Sequence, residues 1–190
     1  MDPFAWLGLG RSRGASSQLG AIHARVKGLL PEDESVVHRY IVVVSVLLAR
    51  VAQADGAIRR GERDHLGVLF RHVDRMPAEG IDDLCRTLEE HVPRLTPADV
   101  ELCCRELKAL CDAEERLQVM RLLAHQATVD GSVAPQEHEE LARLAGHLDV
   151  PVELVSKLEV DALSSSAPPL DATAEDDPSE VRSTRPPRDP

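Results

Sequence analysis

The sequence predicts an all-α domain made of two similar halves, and three observations carry that prediction. One phrase occurs twice: Ala54-Asp55-Gly56-Ala57-Ile58 with Glu62 and Leu66, then Val129-Asp130-Gly131-Ser132-Val133 with Glu137 and Leu141. The offset of 75 residues between Asp55 and Asp130 also pairs Leu47, Leu48, Ala49 and Ala52 with Leu122, Leu123, Ala124 and Ala127. It pairs Leu69, His72 and Asp74 with Leu144, His147 and Asp149. A fixed offset held this long marks an internal duplication. The second observation is compositional. Apolar residues make up 43% of the chain but aromatics only 2%, so the core must be Leu, Val and Ala, which suits close-packed helices better than a sheet. The third is a regular series of helix start and stop residues between apolar stretches of helical period.

The elements follow in order. A first helix fits Gln18 to Leu30, with Leu19, Ile22, Val26 and Leu29 on one side and Pro31 as its stop. A long helix is predicted from about Asp33 to Ala54. Its middle, Ile41 to Leu48, is apolar on nearly every face. β-branched residues alone would favour a strand, but the length of the segment and its second copy make it a central buried helix. Gly56 supplies the backbone freedom to stop it. Helices of about Arg60 to Val73 and Pro77 to Val92 come next. Thr96-Pro97-Ala98-Asp99 reads as a helix start: cap, first-turn proline, and an acid facing the positive dipole end. Asp112 with Glu115 has capping-box spacing and opens the long helix of the second copy, which runs to about Val129 before Gly131. Pro135 opens a helix to about Leu148, and a last one fits Pro151 to Leu163. The apolar residue after each Gly, Ile58 or Val133, is expected to plug its turn into the core.

These helices set the domain boundaries. Residues 1–16 form an apolar, Gly- and Ser-rich arm in which Phe4, Trp6, Leu7 and Leu9 are expected to dock on the body rather than touch a membrane surface. Residues 17–163 form the helical domain. Residues 164–190 hold six prolines and scattered acids, with nothing to bury, and are expected to be a disordered acidic tail.

A formal net charge of −11 disfavours nucleic acid and anionic lipid and suits cations or a basic protein partner. Cys85, Cys103, Cys104 and Cys111 include no Cys-x-x-Cys pair and read as buried reduced thiols, with Cys104 and Cys111 on one helix face. The longest apolar run, Tyr40 to Ala49, is about half of what a bilayer needs. No secretory signal is evident, so the expected location is the cytoplasm.

The repeated motif carries the candidate chemistry. Asp55, Gly56, Ile58 and Glu62 fall at positions 5, 6, 8 and 12 of a calcium-binding EF-hand loop, as do Asp130, Gly131, Val133 and Glu137. The match stops there. The first ligand positions would be Val51 and Gln53, or Gln126 and Thr128, and a hard cation wants six to eight oxygens. A purely architectural reading stands beside the chemical one. Glu62 and Glu137 lie in a first helical turn, where a carboxylate meets free N–H groups. Asp55 and Asp130 lie at a helix end, where an acid opposes the dipole unless it meets a cation or the N–H groups of the turn.

The two motifs, Ala52 to Ile58 with Glu62 and Ala127 to Val133 with Glu137, together with the ending Leu141 to Pro151, resemble the TerB-like family of tellurite-resistance proteins. That family includes the N-terminal helical domain of certain membrane-anchored DnaJ-type co-chaperones. The resemblance covers roughly residues 33–163. It implies a small all-α domain linked to tellurite and other chemical stress. It also implies Asp55, Glu62, Asp130 and Glu137 as metal-binding residues, with a divalent ion as the one cofactor. The chain lacks the His-Pro-Asp tripeptide of a J-domain. Arg59, Arg60 and Arg63 crowd the first copy, which makes the second, with Glu139 and Glu140 nearby, the better metal candidate.

The rest of the chain offers little chemistry. His138-Glu139 lacks the following His of a zincin, and no nucleophile elbow, phosphate loop or dinucleotide fingerprint is present. The eight histidines read as boundary residues, His72 and His147 at helix C-termini. The expectation is a non-enzymatic binding or adaptor module in a stress response, its acidic turns meeting a metal ion or a protein. The alternative is a structural interaction domain whose acids only cap helices.

Overall fold

The computed structural model describes residues 15–73 and 76–166. Among them are eight α-helices and two short 3-10 turns, with no strand. The helices are α1 (Ala15–Leu29), α2 (Ser35–Ala52), α3 (Arg60–Phe70), α4 (Ala78–His91), α5 (Pro97–Leu110), α6 (Ala113–Ala127), α7 (Pro135–His147) and α8 (Val155–Ser166). All eight were foreseen, with ends shifted by a few residues. α1 starts at Ala15, so the last two residues assigned to the arm are helical, and α8 runs to Ser166, past the expected end at Leu163. Asp74, residues 1–14 and most of the expected tail lie outside the described residues.

α2 is the central helix. It lies against α1, α3, α4, α5, α6 and α7, and Val43, Val46, Leu47, Leu48, Ala49, Val51 and Ala52 are buried. Its length and hydropathy would suit a membrane span, but 67% of it is buried inside the bundle. Neighbouring helices on most sides therefore account for the β-branched run. Each fully buried Leu or Val contributes about 1.5–3 kcal/mol, so a helix apolar all round is stable only when wrapped in this way.

The duplication is visible in the backbone. α2 and α6 correspond, as do α3 and α7, and each short helix touches both long ones. Gln53 caps α2 at φ −98°, ψ 2°, and Thr128 caps α6 at φ −97°, ψ 3°. Three residues later Gly56 and Gly131 adopt φ of 118° and 81°, where an L side chain is strained. Both glycine N–H groups close the turn on the cap carbonyls, Gly56 to Gln53 and Gly131 to Thr128, at 2.9 Å. Ile58 and Val133 pack against the core as expected.

The foreseen caps are present. Thr96 Oγ1 accepts from Asp99 N while Asp99 Oδ2 accepts from Thr96 N, and Asp112 and Glu115 exchange bonds of 2.9 and 2.8 Å in the same way. All four cysteines are buried and free. Burial raises every thiol, Cys85 to about 11 and Cys104 to about 12, so they behave as small apolar groups. One expectation is corrected: Cys111 does not share a helix face with Cys104. α5 ends at Leu110, and Cys111 is its extended cap at φ −124°, ψ 142°.

Candidate functional site

The two Asp-Gly turns face each other. α2 and α6 both end early, at Ala52 and Ala127. Asp55 and Asp130 therefore stand in the turns rather than in a last helical turn, which corrects the expected conflict with the helix dipole. What meets them is Arg59. Its Nη1 donates to Asp130 Oδ2 at 2.9 Å, and its Nη2 donates to Asp55 Oδ2. One guanidinium thus ties the first turn to the second. Its side chain is 59% exposed and lies over Asp130, itself 40% exposed, while Asp55 is largely covered.

Beneath the arginine lie the two glutamates. Glu62 Oε2 accepts from Arg59 N at 2.6 Å, and Glu137 Oε2 accepts from Ala134 N at 2.7 Å. Each is half of a capping box: the N3 carboxylate satisfies the N-cap N–H, with no cap side chain to reciprocate. Both glutamates are buried, Glu62 at 3% exposure. Burial, with added repulsion from Glu137, Asp55 and Asp130, raises Glu62 to about 7 against the pull of the Arg59 N–H. Burial also raises Glu137, with repulsion from Asp55 and Asp130 opposed by the Ala134 N–H and the Arg59 charge. Hence the four acids named from the sequence form one electrostatic unit shared by both halves.

Two residues that sequence reasoning passed over position this unit. Gly61 occupies the first turn of α3, where an added Cβ would lie 3.2 Å from Asp130 Oδ1. Its missing side chain lets the second turn approach. Gln126, fully buried on α6, donates from Nε2 to the Glu62 carbonyl at 3.2 Å, and its Oε1 accepts from His65 Nδ1 at 2.9 Å. It fastens α6 to α3 directly under the cluster. A glycine at the second position of a helix and a lone Gln among apolar residues were the available signals. Glu139 and Glu140 do not join the cluster. Glu139 is exposed, and Glu140 is turned to Arg50 and Arg143, at 3.2 and 2.5 Å.

Carboxylate oxygens suit a hard divalent cation, yet the arrangement does not fit a resident one. Two glutamate oxygens are used on backbone N–H groups, and the Arg59 guanidinium stands between the aspartates. Among the described residues no three His, Cys, Asp or Glu side chains are grouped to hold a metal ion.

The bundle, its duplicated turns and their shared acids define a class of small helical proteins with a two-fold repeat. Residues 42–159 match the family described as Tellurite resistance protein TerB. The match spans more than half of the 190 residues, and the chain belongs to that family. No curated protein and no solved structure matches it.

Proposed function

We propose that this chain is a non-enzymatic binding module whose paired Asp-Gly turns receive a cationic group of a protein partner. The supporting observation is the resident guanidinium: one aspartate from each half, Asp55 and Asp130, pairs with the exposed Arg59 side chain, while Glu62 and Glu137 are buried nearby on the N-cap N–H groups. Arg59 acts as an internal stand-in, and an arginine or lysine presented by a partner takes its place between Asp55 and Asp130. Exposed ion pairs are worth little on their own, so the exchange costs little, and the surplus negative charge favours the incoming cation. Ionised Glu62 adds to that charge, so binding strengthens as pH rises through about 7. A role in a chemical-stress response is proposed on the strength of the resemblance alone, and the cytoplasm stays the expected location.

Calorimetric titration with an arginine-rich peptide, and separately with calcium, manganese and zinc chlorides, tests the proposal. Arg59→Ala is expected to bind the peptide more tightly than the wild type, and Asp130→Ala is expected to lose it. Heat only with a metal would replace the partner cation by an ion. No heat from any titrant would favour the second reading, a purely structural cluster. The bonds of Glu62 and Glu137 to the N-cap N–H groups support that alternative.

A further inference from the structure

A second surface, away from the acidic turns, is unused by the fold. Between α2, α3 and α6 lies a cleft of about 390 Å³ lined by Tyr40, Val44, Leu48, Phe70, Val73 and Leu122. This falls in the size range of ligand sites, about 300–1,000 Å³. Exposed Val36 and Val37 extend its apolar rim along α2 beyond Tyr40. Ser45 also lines the cleft, and its buried hydroxyl has no hydrogen-bond partner. Apart from His72 the lining carries no ionisable side chain but Tyr40.

The chain itself contains a matching segment. It has only four aromatic residues. Tyr40 and Phe70 line the cleft, and Phe4 and Trp6 lie in the uncharged stretch Phe4-Ala5-Trp6-Leu7-Gly8-Leu9. The length suffices. α1 runs antiparallel to α4, with Gln18 bonded to His91 at the end of α4 and Leu29 beside Gly80 at its start. Val73, on the rim, shortly precedes α4. The segment must therefore travel back about one length of α1, roughly 22 Å. Nine residue steps join Trp6 to Ala15 and can span up to about 30–32 Å, and the six from Leu9 up to about 20–22 Å. An indole N–H is also a donor that needs an acceptor once buried, and the Ser45 hydroxyl is an unused one.

We propose that Phe4 to Leu9 seats in cis in the cleft between α2, α3 and α6, covering apolar surface that the bundle leaves open. The site is independent of the acidic cluster. Trp6 is the only tryptophan, so its emission reports the seat directly in the full-length chain. Expected are an emission maximum to the blue of free indole, shielding from iodide, and no dependence on protein concentration. Val44→Glu should move the emission to the solvent value with helix content unchanged. If Val44→Glu does not fold, Val73→Glu, in the turn beyond α3, takes its place. The double change Phe4→Ser with Leu7→Ser should give the same red shift. Solvent-like emission in the wild type overturns the proposal. So does blue emission that survives the cleft substitution in a folded chain. Blue emission that appears only as concentration rises also overturns it, by assigning the seat to a second copy.

Discussion

The two Asp-Gly turns share a backbone and differ in who supplies the cation. Their caps agree within a few degrees in φ and ψ, each glycine takes positive φ, and each glutamate accepts an N-cap N–H. At the N-cap, however, the first half has Arg59 and the second has Ala134. That single difference turns a symmetric frame into an asymmetric site. The first turn brings its own positive charge and extends it across to Asp130, while the second brings only acids. Duplicated halves can thus keep one architecture under packing constraints while their surface chemistry diverges.

If the frame is symmetric, matched core positions should respond alike. Leu66 and Leu141 are both buried, on α3 and α7, at 1% and 0% exposure. Each Leu→Ala change is expected to cost about 2–5 kcal/mol, from lost transfer energy and the cavity left behind. Urea unfolding of the two variants should give losses within about 1 kcal/mol of each other. A far larger loss at one position would show that one half carries the core and the other merely leans on it.

The glutamates should break the symmetry. Glu62 rises from an ordinary 4.5 to about 7, mainly through burial. A raised acid favours the folded state only while protonated: its contribution is complete below about 4.5 and lost as pH rises through about 7. Glu62→Gln keeps an acceptor for the Arg59 N–H but cannot ionise. It is expected to stabilise the protein at pH 8 by on the order of 2 kcal/mol, with little change at pH 5. Glu137→Gln should act in the same direction but less, because Arg59 offsets part of the repulsion there. Thermal melts at the two pH values measure both. Destabilisation by Glu62→Gln at pH 8 would mean that Arg59 holds the ionised glutamate more strongly than burial opposes it.

Most of the frame could be read from the sequence because its causes are local. Thr96 with Asp99 and Asp112 with Glu115 are capping pairs three residues apart, and glycine is the ready choice at Gly56 and Gly131. Central burial of α2 was legible from apolarity on every face. The candidate acids were also found, but the arginine that pairs with two of them was not. Arg59 looked like an obstacle to a site in the first half, because sequence spacing shows neighbours along the chain and not the turn 71 residues away that it reaches. The same long-range closure hid Gln126, whose amide bridges α6 to α3. It also made Glu140 look like a ligand when its partners are Arg50 and Arg143.

The finest test of the asymmetry is Gly61. Its counterpart at the 75-residue offset is Gln136, an exposed residue, so only the first half keeps the side chain short here. The reason is Asp130 Oδ1, 3.2 Å from where a Cβ would stand, a contact tight enough that the aspartate must give by a few tenths of an ångström. Two effects oppose each other in Gly61→Ala. Helix propensity favours alanine by up to about 1 kcal/mol in a helix interior and by less in a first turn, while displacing a half-exposed aspartate costs little. Overall stability should therefore change by less than about 1 kcal/mol. The cluster should register the change all the same. With Asp130 pushed back, its bond to Arg59 lengthens and Glu62 loses repulsion, so Glu62 should titrate below its wild-type value of about 7. Carboxyl NMR titration reads that shift without relying on stability. If Glu62 titrates unchanged, the close approach at Gly61 is incidental, and Arg59 alone sets how the halves meet.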